Sequence, residues 1–234
     1  MWLLSNKVYF EDCGFFEGFC DYHCHLLPGV DDGVGEMKET LEILRRWEQL
    51  GVSEVWITPH IMEDYPNEPN SLKEQFDDVV NSFDGSIRLH LAAENMLDGL
   101  FLKRFQADDL LTIDDDLLLV ETSYYIPPMN MQQIVEKIKS KGYQPLLAHP
   151  ERYQYMSQTD YRRWKEAGVL MQLNVPSLVG AYGQDVQSKA EWLLNKGFYD
   201  CCGTDIHSAE QMDVFLSSQI SKKMVRKITG LRRI

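Results

Sequence analysis

The chain has 234 residues, 44% of them hydrophobic and 25% charged, with a formal net charge of −13. That length suits one large domain with a substantial core; no run of 18 apolar residues offers a membrane span, and so acidic a balance excludes nucleic acid as a bulk partner. Cys13, Cys20, Cys24, Cys201 and Cys202 are an odd set without zinc-knuckle spacing, which argues against a disulfide framework.

Residues 1–18 mix Lys7, Glu11, Asp12 and Glu17 into short apolar pieces. They lack the form of a secretory signal, so they are set apart as an N-terminal extension and a cytoplasmic location is expected. Residues 19–25 read as a strand in which His23 and His25 share one face while Cys24 points away into packing. Pro28 and Gly29 break it, and the loop returns Asp31 and Asp32 before Gly33. Two imidazoles and an acid so close together would supply much of a shell for a divalent transition metal. Taken alone, the spacing fits a strand with two half-buried histidines equally well.

A helix is expected over 36–50, with Met37, Leu41, Leu44, Trp47 and Leu50 on one face and Gly51 closing it. The chain then alternates: strand 55–58 into His60, helix 70–83, strand 86–93 ending at Glu94, and strand 117–120 ending at Glu121. Helix 131–141, strand 145–148 into His149, helix 161–167, strand 169–173, helix 186–195 and strand 198–202 follow, the last running into Asp205 and His207. Such alternation with short connections is the signature of parallel β/α architecture.

His23, His25, His60, Glu94, Glu121, His149, Asp205 and His207 all fall at or just beyond the C-terminal end of an expected strand. In a β/α barrel those ends converge on the rim that carries the active site. Only His90, inside a strand, is out of phase, and it is assigned to packing or surface. The charge is uneven as well: beyond Asp213 there is no acid, while Lys222, Lys223, Arg226, Lys227, Arg232 and Arg233 follow. Those six leave 17 of the 23 basic residues against 36 acids in the body. A solvated amphipathic helix end accounts for this tail more simply than a dedicated binding surface.

Six blocks, DYHCHLLPGVDDG (21–33), TPH (58–60), AAE (92–94), VETS (120–123), HPER (149–152) and GTDIH (203–207), resemble the polymerase and histidinol phosphatase (PHP) superfamily. Within it they resemble the bacterial capsule-type, manganese-dependent protein-tyrosine phosphatases. Ala92-Ala93 replaces a glycine usual in the third block, and Ile61 stands where a second histidine often follows. The resemblance implies a distorted (β/α)7 TIM-like barrel over residues 19–234, one metallophosphatase domain with the metal site at the strand ends. It implies three divalent metals, Mn²⁺ first, with iron, cobalt or zinc also compatible with the ligand types. His23, His25, Glu94 and Asp205 would hold one metal; Glu94, Glu121 and His149 a second; Asp32, His60 and His207 a third. Arg152 matches the phosphate-binding arginine, and Arg152, Asp205 and His207 are the candidate catalytic side chains.

The implied activity is hydrolysis of phosphotyrosine by a metal-activated hydroxide, on the tail of a bacterial tyrosine kinase that controls capsule or exopolysaccharide synthesis. Four ligand carboxylates against three divalent ions leave the site positive inside an acidic protein; a phosphate dianion is attracted there and polyanions are not. A phenolate, with a pKa of about 10, leaves with little protonation and so favours aryl phosphates. A cysteine-based phosphatase is excluded. It needs Arg six residues after the nucleophile, and here those positions hold Phe19, Leu26, Val30, His207 and Ser208. A histidinol-phosphatase-type small-molecule enzyme is the nearest alternative, and a metal-binding regulatory module without turnover is one of another class. Tyr124, Tyr125, Tyr153 and Tyr155 stand near the blocks, placed equally well for flanking a phosphotyrosine ring or for ordinary packing.

Overall fold

The computed structural model describes residues 6–231; the first five residues of the extension and Arg232 and Arg233 of the basic tail lie outside that range. In chain order the elements are β1 (Lys7–Tyr9), β2 (Cys20–Cys24), α1 (Met37–Leu50), β3 (Glu54–Ile57), β4 (His60–Ile61), α2 (Pro69–Ser82), β5 (Arg88–Leu91) and β6 (Glu94–Met96). They continue with α3 (Gly99–Ala107), β7 (Leu117–Glu121), α4 (Met131–Ser140), β8 (Gln144–Ala148), α5 (Gln158–Glu166), β9 (Leu170–Asn174) and α6 (Gln184–Lys196). The last are β10 (Cys201–Gly203), α7 (Ala209–Leu216), β11 (Gln219–Ser221) and α8 (Lys222–Thr229).

The core is an α/β arrangement of parallel sheets. One sheet has the order β10-β9-β8-β7-β6-β4 and another β2-β3-β5. Two chain segments pass from one sheet to the other. β3 becomes β4 across Thr58-Pro59, where the proline removes a ladder donor; β5 becomes β6 across Ala92-Ala93. Backbone bonds carry the register through both breaks, with Ala92 N donating to Ile57 O (3.0 Å) and Glu94 N to Pro59 O (3.1 Å). At the far edges β2 meets the end of β10: Cys24 bridges Ile206 in parallel, His25 N donates to Ile206 O (2.9 Å), and Asp205 N donates to His23 O (2.7 Å). The sheets therefore curve around a shared interior as a half-barrel.

The helices cover the outside. α1 buries Thr40, Ile43, Leu44 and Trp47 and stops at Gly51 in the left-handed region (φ 94°). Its buried stripe is turned slightly from the expected one, leaving Leu41 and Leu50 half-buried, because Thr40 Oγ1 reaches in to donate to Leu26 O (3.0 Å). Cys24 faces away from the histidines, fully buried, as its alternation with them requires. All five cysteines are free. His90 stacks on Trp56 with ring centroids 4.5 Å apart.

Several elements were not expected from the sequence. α3 is started by Asp98, whose carboxylate accepts from Phe101 N (2.9 Å), the usual role of aspartate at a helix start. β1 pairs antiparallel with β11, Lys7 opposite Ser221. Phe10, Phe15 and Phe16 beyond it are buried against Phe19 and Phe215. The described part of the extension is thus packed into the body, and the basic tail from Lys222 begins as α8 with Ile228 buried. Among the described residues no helix is long and apolar enough to cross a membrane.

Candidate metal centre

The strand ends bring eight of the expected side chains into one buried cluster. His23 and His25 leave β2 side by side, with Nε2 atoms 3.1 Å apart. Glu94 Oε2 lies 3.2 Å from the first and 3.4 Å from the second; Asp205 Oδ1 lies 3.4 and 3.3 Å from them. These five separations run from 3.1 to 3.4 Å, a spacing that suits ligand atoms each bonded at about 2.0 Å to one shared cation. With both ring protons held on the outer Nδ1 atoms by Gln172 and Asp31, the two Nε2 lone pairs would repel at that distance. A cation between them accounts for it.

The outer ring nitrogens reinforce the reading. His23 Nδ1 donates to Gln172 Oε1 (3.1 Å), His25 Nδ1 to Asp31 Oδ2 (2.8 Å), and His207 Nδ1 to the carbonyl of Asp205 (2.8 Å). Each bond fixes a tautomer that leaves Nε2 with a lone pair facing the cluster, as metal-ligating histidines require. Asp31 is itself held by Gly33 N (3.0 Å) and His60 N (2.9 Å). Burial works to raise its pKa, but the His25 imidazole overrides that and holds the carboxyl down at about 2.

Two further groupings adjoin the first. His60 Nδ1 is 3.1 Å from Glu94 Oε2 and 3.2 Å from Glu121 Oε1. None of these three buried atoms has a hydrogen-bond partner within the protein, a costly state unless something else binds them. His149 Nε2 lies 2.9 Å from Glu94 Oε1 but 3.9 Å from Glu121 Oε2. Glu121 therefore lies closer to His60 than to His149, while Glu94 lies slightly closer to His149 than to His60. On the other side Asp32 Oδ1 stands 3.5 Å from His60 Nε2 and 3.6 Å from His207 Nε2. His25 and His207 stack at 4.0 Å.

Backbone geometry shows how tightly the ends are drawn in. His149 (φ 32°) and Asp205 (φ 54°) sit in the left-handed region without being glycine, a strained state typical of functional sites. Gly203 is required where β10 passes under β2, since a Cβ there would lie 2.6 Å from His23 Cβ. Gly33 is required likewise, because its Cβ would meet His25 O at 2.3 Å. Asp21 ties the two strands together, accepting from Thr204 N (2.8 Å), Thr204 Oγ1 (2.5 Å) and His23 N (3.2 Å).

Arg152 lies beside the cluster, with Nη1 donating to Asp205 Oδ2 (2.9 Å). Burial opposes its charge, but Asp205 next to it more than compensates and the guanidinium stays ionised. The tyrosines divide. Tyr153 is fully buried, donates to Ala148 O (2.9 Å) and accepts from Thr122 N (3.3 Å), which is a packing role. Tyr155 meets the Thr122 hydroxyl at 2.7 Å, Tyr125 is exposed, and Tyr124 lies against Arg152 with its ring centroid 4.3 Å away. The sequence reading missed Gln172 and Tyr182, as well as the role of Asp31 in orienting His25. Their only sequence signals are a polar residue inside an apolar strand, an aromatic ring between the glycines at 180 and 183, and a second aspartate beside Asp32.

A curved set of parallel strands whose ends present a buried, multi-ligand cluster of imidazoles and carboxylates defines a metal-centred α/β protein. More narrowly, the chain belongs to the family described as Capsular polysaccharide synthesis, CpsB/CapC, whose family model matches residues 19–230. It is 27% identical to the tyrosine-protein phosphatase YwqE of Bacillus subtilis (strain 168), over 81% of this chain and 78% of that protein. It is 22% identical to the tyrosine-protein phosphatase CpsB of Streptococcus pneumoniae, over 84% and 86%. Among solved structures it resembles one from work on YwqE and CpsB, described there as metal-dependent tyrosine phosphatases. The TM-score is 0.77 at 26% identity, over 82% of this chain and 81% of that one.

Proposed function

We propose that this protein is a metal-dependent protein-tyrosine phosphatase of capsule or exopolysaccharide synthesis. The observation that carries the reading is the buried group of His23, His25, Glu94 and Asp205, flanked by two further groups that share Glu94, His60 and His25. Three adjoining groups fit three divalent ions, with Mn²⁺ the first choice, and the ligand chemistry also suits iron, cobalt or zinc. We read the two sheets as arcs of one distorted (β/α)7 barrel over residues 19–234, with the described part of the extension packed onto it.

Bound metals would act as Lewis acids toward the phosphoryl oxygens and lower the pKa of water to about 7. The protein's part is to place the ester. Arg152 is held at the edge of the cluster, where its free N–H groups meet the oxygens that gain charge in the transition state. Asp32 and His207, both partly open to solvent, form the outer lip that the phosphate passes. A phosphorylated kinase tail suits such an exposed lip better than a closed pocket would, and a cytoplasmic location fits that substrate. Relatives named as tyrosine-protein phosphatases favour this reading over a small-molecule enzyme.

The test is a side-by-side assay of a phosphotyrosine peptide, a phosphoserine peptide and histidinol phosphate after chelation and readdition of Mn²⁺. Activity should vanish on chelation, return with Mn²⁺ and favour phosphotyrosine. Full turnover in metal-stripped protein, or a preference for histidinol phosphate, would refute it.

A further inference from the structure

The environment of Arg152 goes beyond the single bond to Asp205. Its guanidinium carbon lies 4.3 Å from the ring centroid of Tyr124 and 4.3 Å from that of Tyr182. Rings take up the flat sides of a guanidinium and leave its N–H edge for hydrogen bonding. Part of that edge is used on Asp205 Oδ2. Asn174 Nδ2 donates to the same oxygen (2.8 Å) and to the Tyr182 hydroxyl (3.1 Å). Arg152, Asp205, Asn174 and Tyr182 therefore close a ring of contacts that ends on a member of the buried His23, His25, Glu94 and Asp205 group.

Tyr182 also stands between two open spaces. One, of about 650 Å³, is lined by Arg152, Gln154, Tyr182, Gln184 and Lys189. The other, of about 620 Å³, is lined by Tyr182, Asp205, Ile206, Val214 and Phe215. An arginine has considerable rotamer freedom to lose when it is fixed. With empty space on both sides of Tyr182, the ring is what confines Arg152 on that flank.

We propose that Tyr182, acting with Tyr124 and oriented by Asn174, is a positioning residue that holds Arg152 edge-on to the phosphoryl group. The proposal rests on the reading of Arg152 as the phosphate-binding arginine. It assigns Tyr182 no contact with the reacting atoms and no part in holding metal. The ring should matter more than the hydroxyl, because the ring faces the guanidinium and the hydroxyl only reaches Asn174.

The experiment compares Tyr182→Leu, Tyr182→Phe and Tyr124→Leu in the Mn²⁺-loaded protein. The readouts are turnover of p-nitrophenyl phosphate, calorimetric binding of inorganic phosphate, and metal content. A lost cation–π contact is expected to lower kcat/KM by about 5–30-fold in Tyr182→Leu. Phosphate binding should weaken by a similar factor with metal content unchanged, and Tyr182→Phe should stay within about threefold of the parent. Tyr124→Leu should shift in the same direction, and it carries the test if Tyr182→Leu does not fold. Unchanged phosphate binding in the leucine variants would overturn the proposal. So would metal loss, which would mean an effect through Asp205, or a Tyr182→Phe defect as large as that of Tyr182→Leu. Phosphate binding is read without turnover, so a parent protein that binds phosphate but hydrolyses nothing would sink the phosphatase reading and leave this one standing.

Discussion

The cluster at the strand ends and the aromatic knot under β1 are both buried and both join distant parts of the chain, yet they are stabilised in opposite ways. In the knot, Phe10, Phe15, Phe16, Phe19 and Phe215 meet at centroid distances of 4.4–6.4 Å, and every group finds its partner inside the protein. In the cluster, His60 Nδ1, Glu94 Oε2 and Glu121 Oε1 are buried without a hydrogen-bond partner. The knot is complete as folded. The cluster is completed from outside, so its strain and its burial of charge are the cost of being ready for metal.

The sharpest way to break this contrast is Glu94→Ala, which takes one carboxylate from two of the three groups. Metal content and phosphatase activity should fall together, activity to the background rate, while the knot keeps the chain folded. Retained metal by elemental analysis would show that the groups are not joined through Glu94. The converse is Phe16→Ala. Phe16 is buried among Phe10, Phe15, Phe19 and Phe215, so its removal should cost about 3–5 kcal/mol in denaturant unfolding. The fraction still folded should bind metal normally; a variant with normal stability but defective metal binding would merge the two regions into one.

Smaller effects sharpen the comparison within the site. Arg152→Ala should keep the metals and lose about 2–4 kcal/mol of transition-state stabilisation, seen as a fall in kcat. Metal loss in this variant would make Arg152 part of the metal shell. Gln172→Leu removes the acceptor that fixes the His23 tautomer, and metal affinity should weaken by about 10–100-fold with the fold intact. Titration of the stripped protein with Mn²⁺ measures it, and an unchanged affinity would leave His23 oriented by its strand alone.

The contrast also explains which parts were legible in the sequence. Ligands at strand ends repeat with the strand period, so His23, His25, Glu94, Glu121, His149 and Asp205 stood out once the alternation was read. The residues that orient them did not. Gln172 meets His23 across a sequence separation of 149, and inside an apolar strand it reads as an ordinary polar position. Tyr182 and Asn174 act through a loop whose path no periodicity encodes. The pairing of β1 with β11 depends on tertiary contact between short segments of weak pattern, and α3, with a mixed face and one aspartate at its start, carries little periodic signal. Tyr153 is ambiguous for the opposite reason: proximity in sequence to Arg152 leaves site and packing equally open, and the structure turns its side chain into the core.

The antiparallel pairing of Lys7 with Ser221 has a consequence for the order of events at the ribosome. β1 emerges ahead of the strands that form the parallel sheets and must wait, unpaired, until β11 has been made. Asp205 and His207 also come late, so a nascent chain ending before them carries His23 and His25 without the acid that completes their group. Metal capture and closure of the N-terminal strand thus fall in the same late window. Such long-range closure is slow and leaves an open strand edge exposed in the meantime. A chain arrested before Asp205 should be the form most in need of a chaperone, and the least able to take metal from its surroundings.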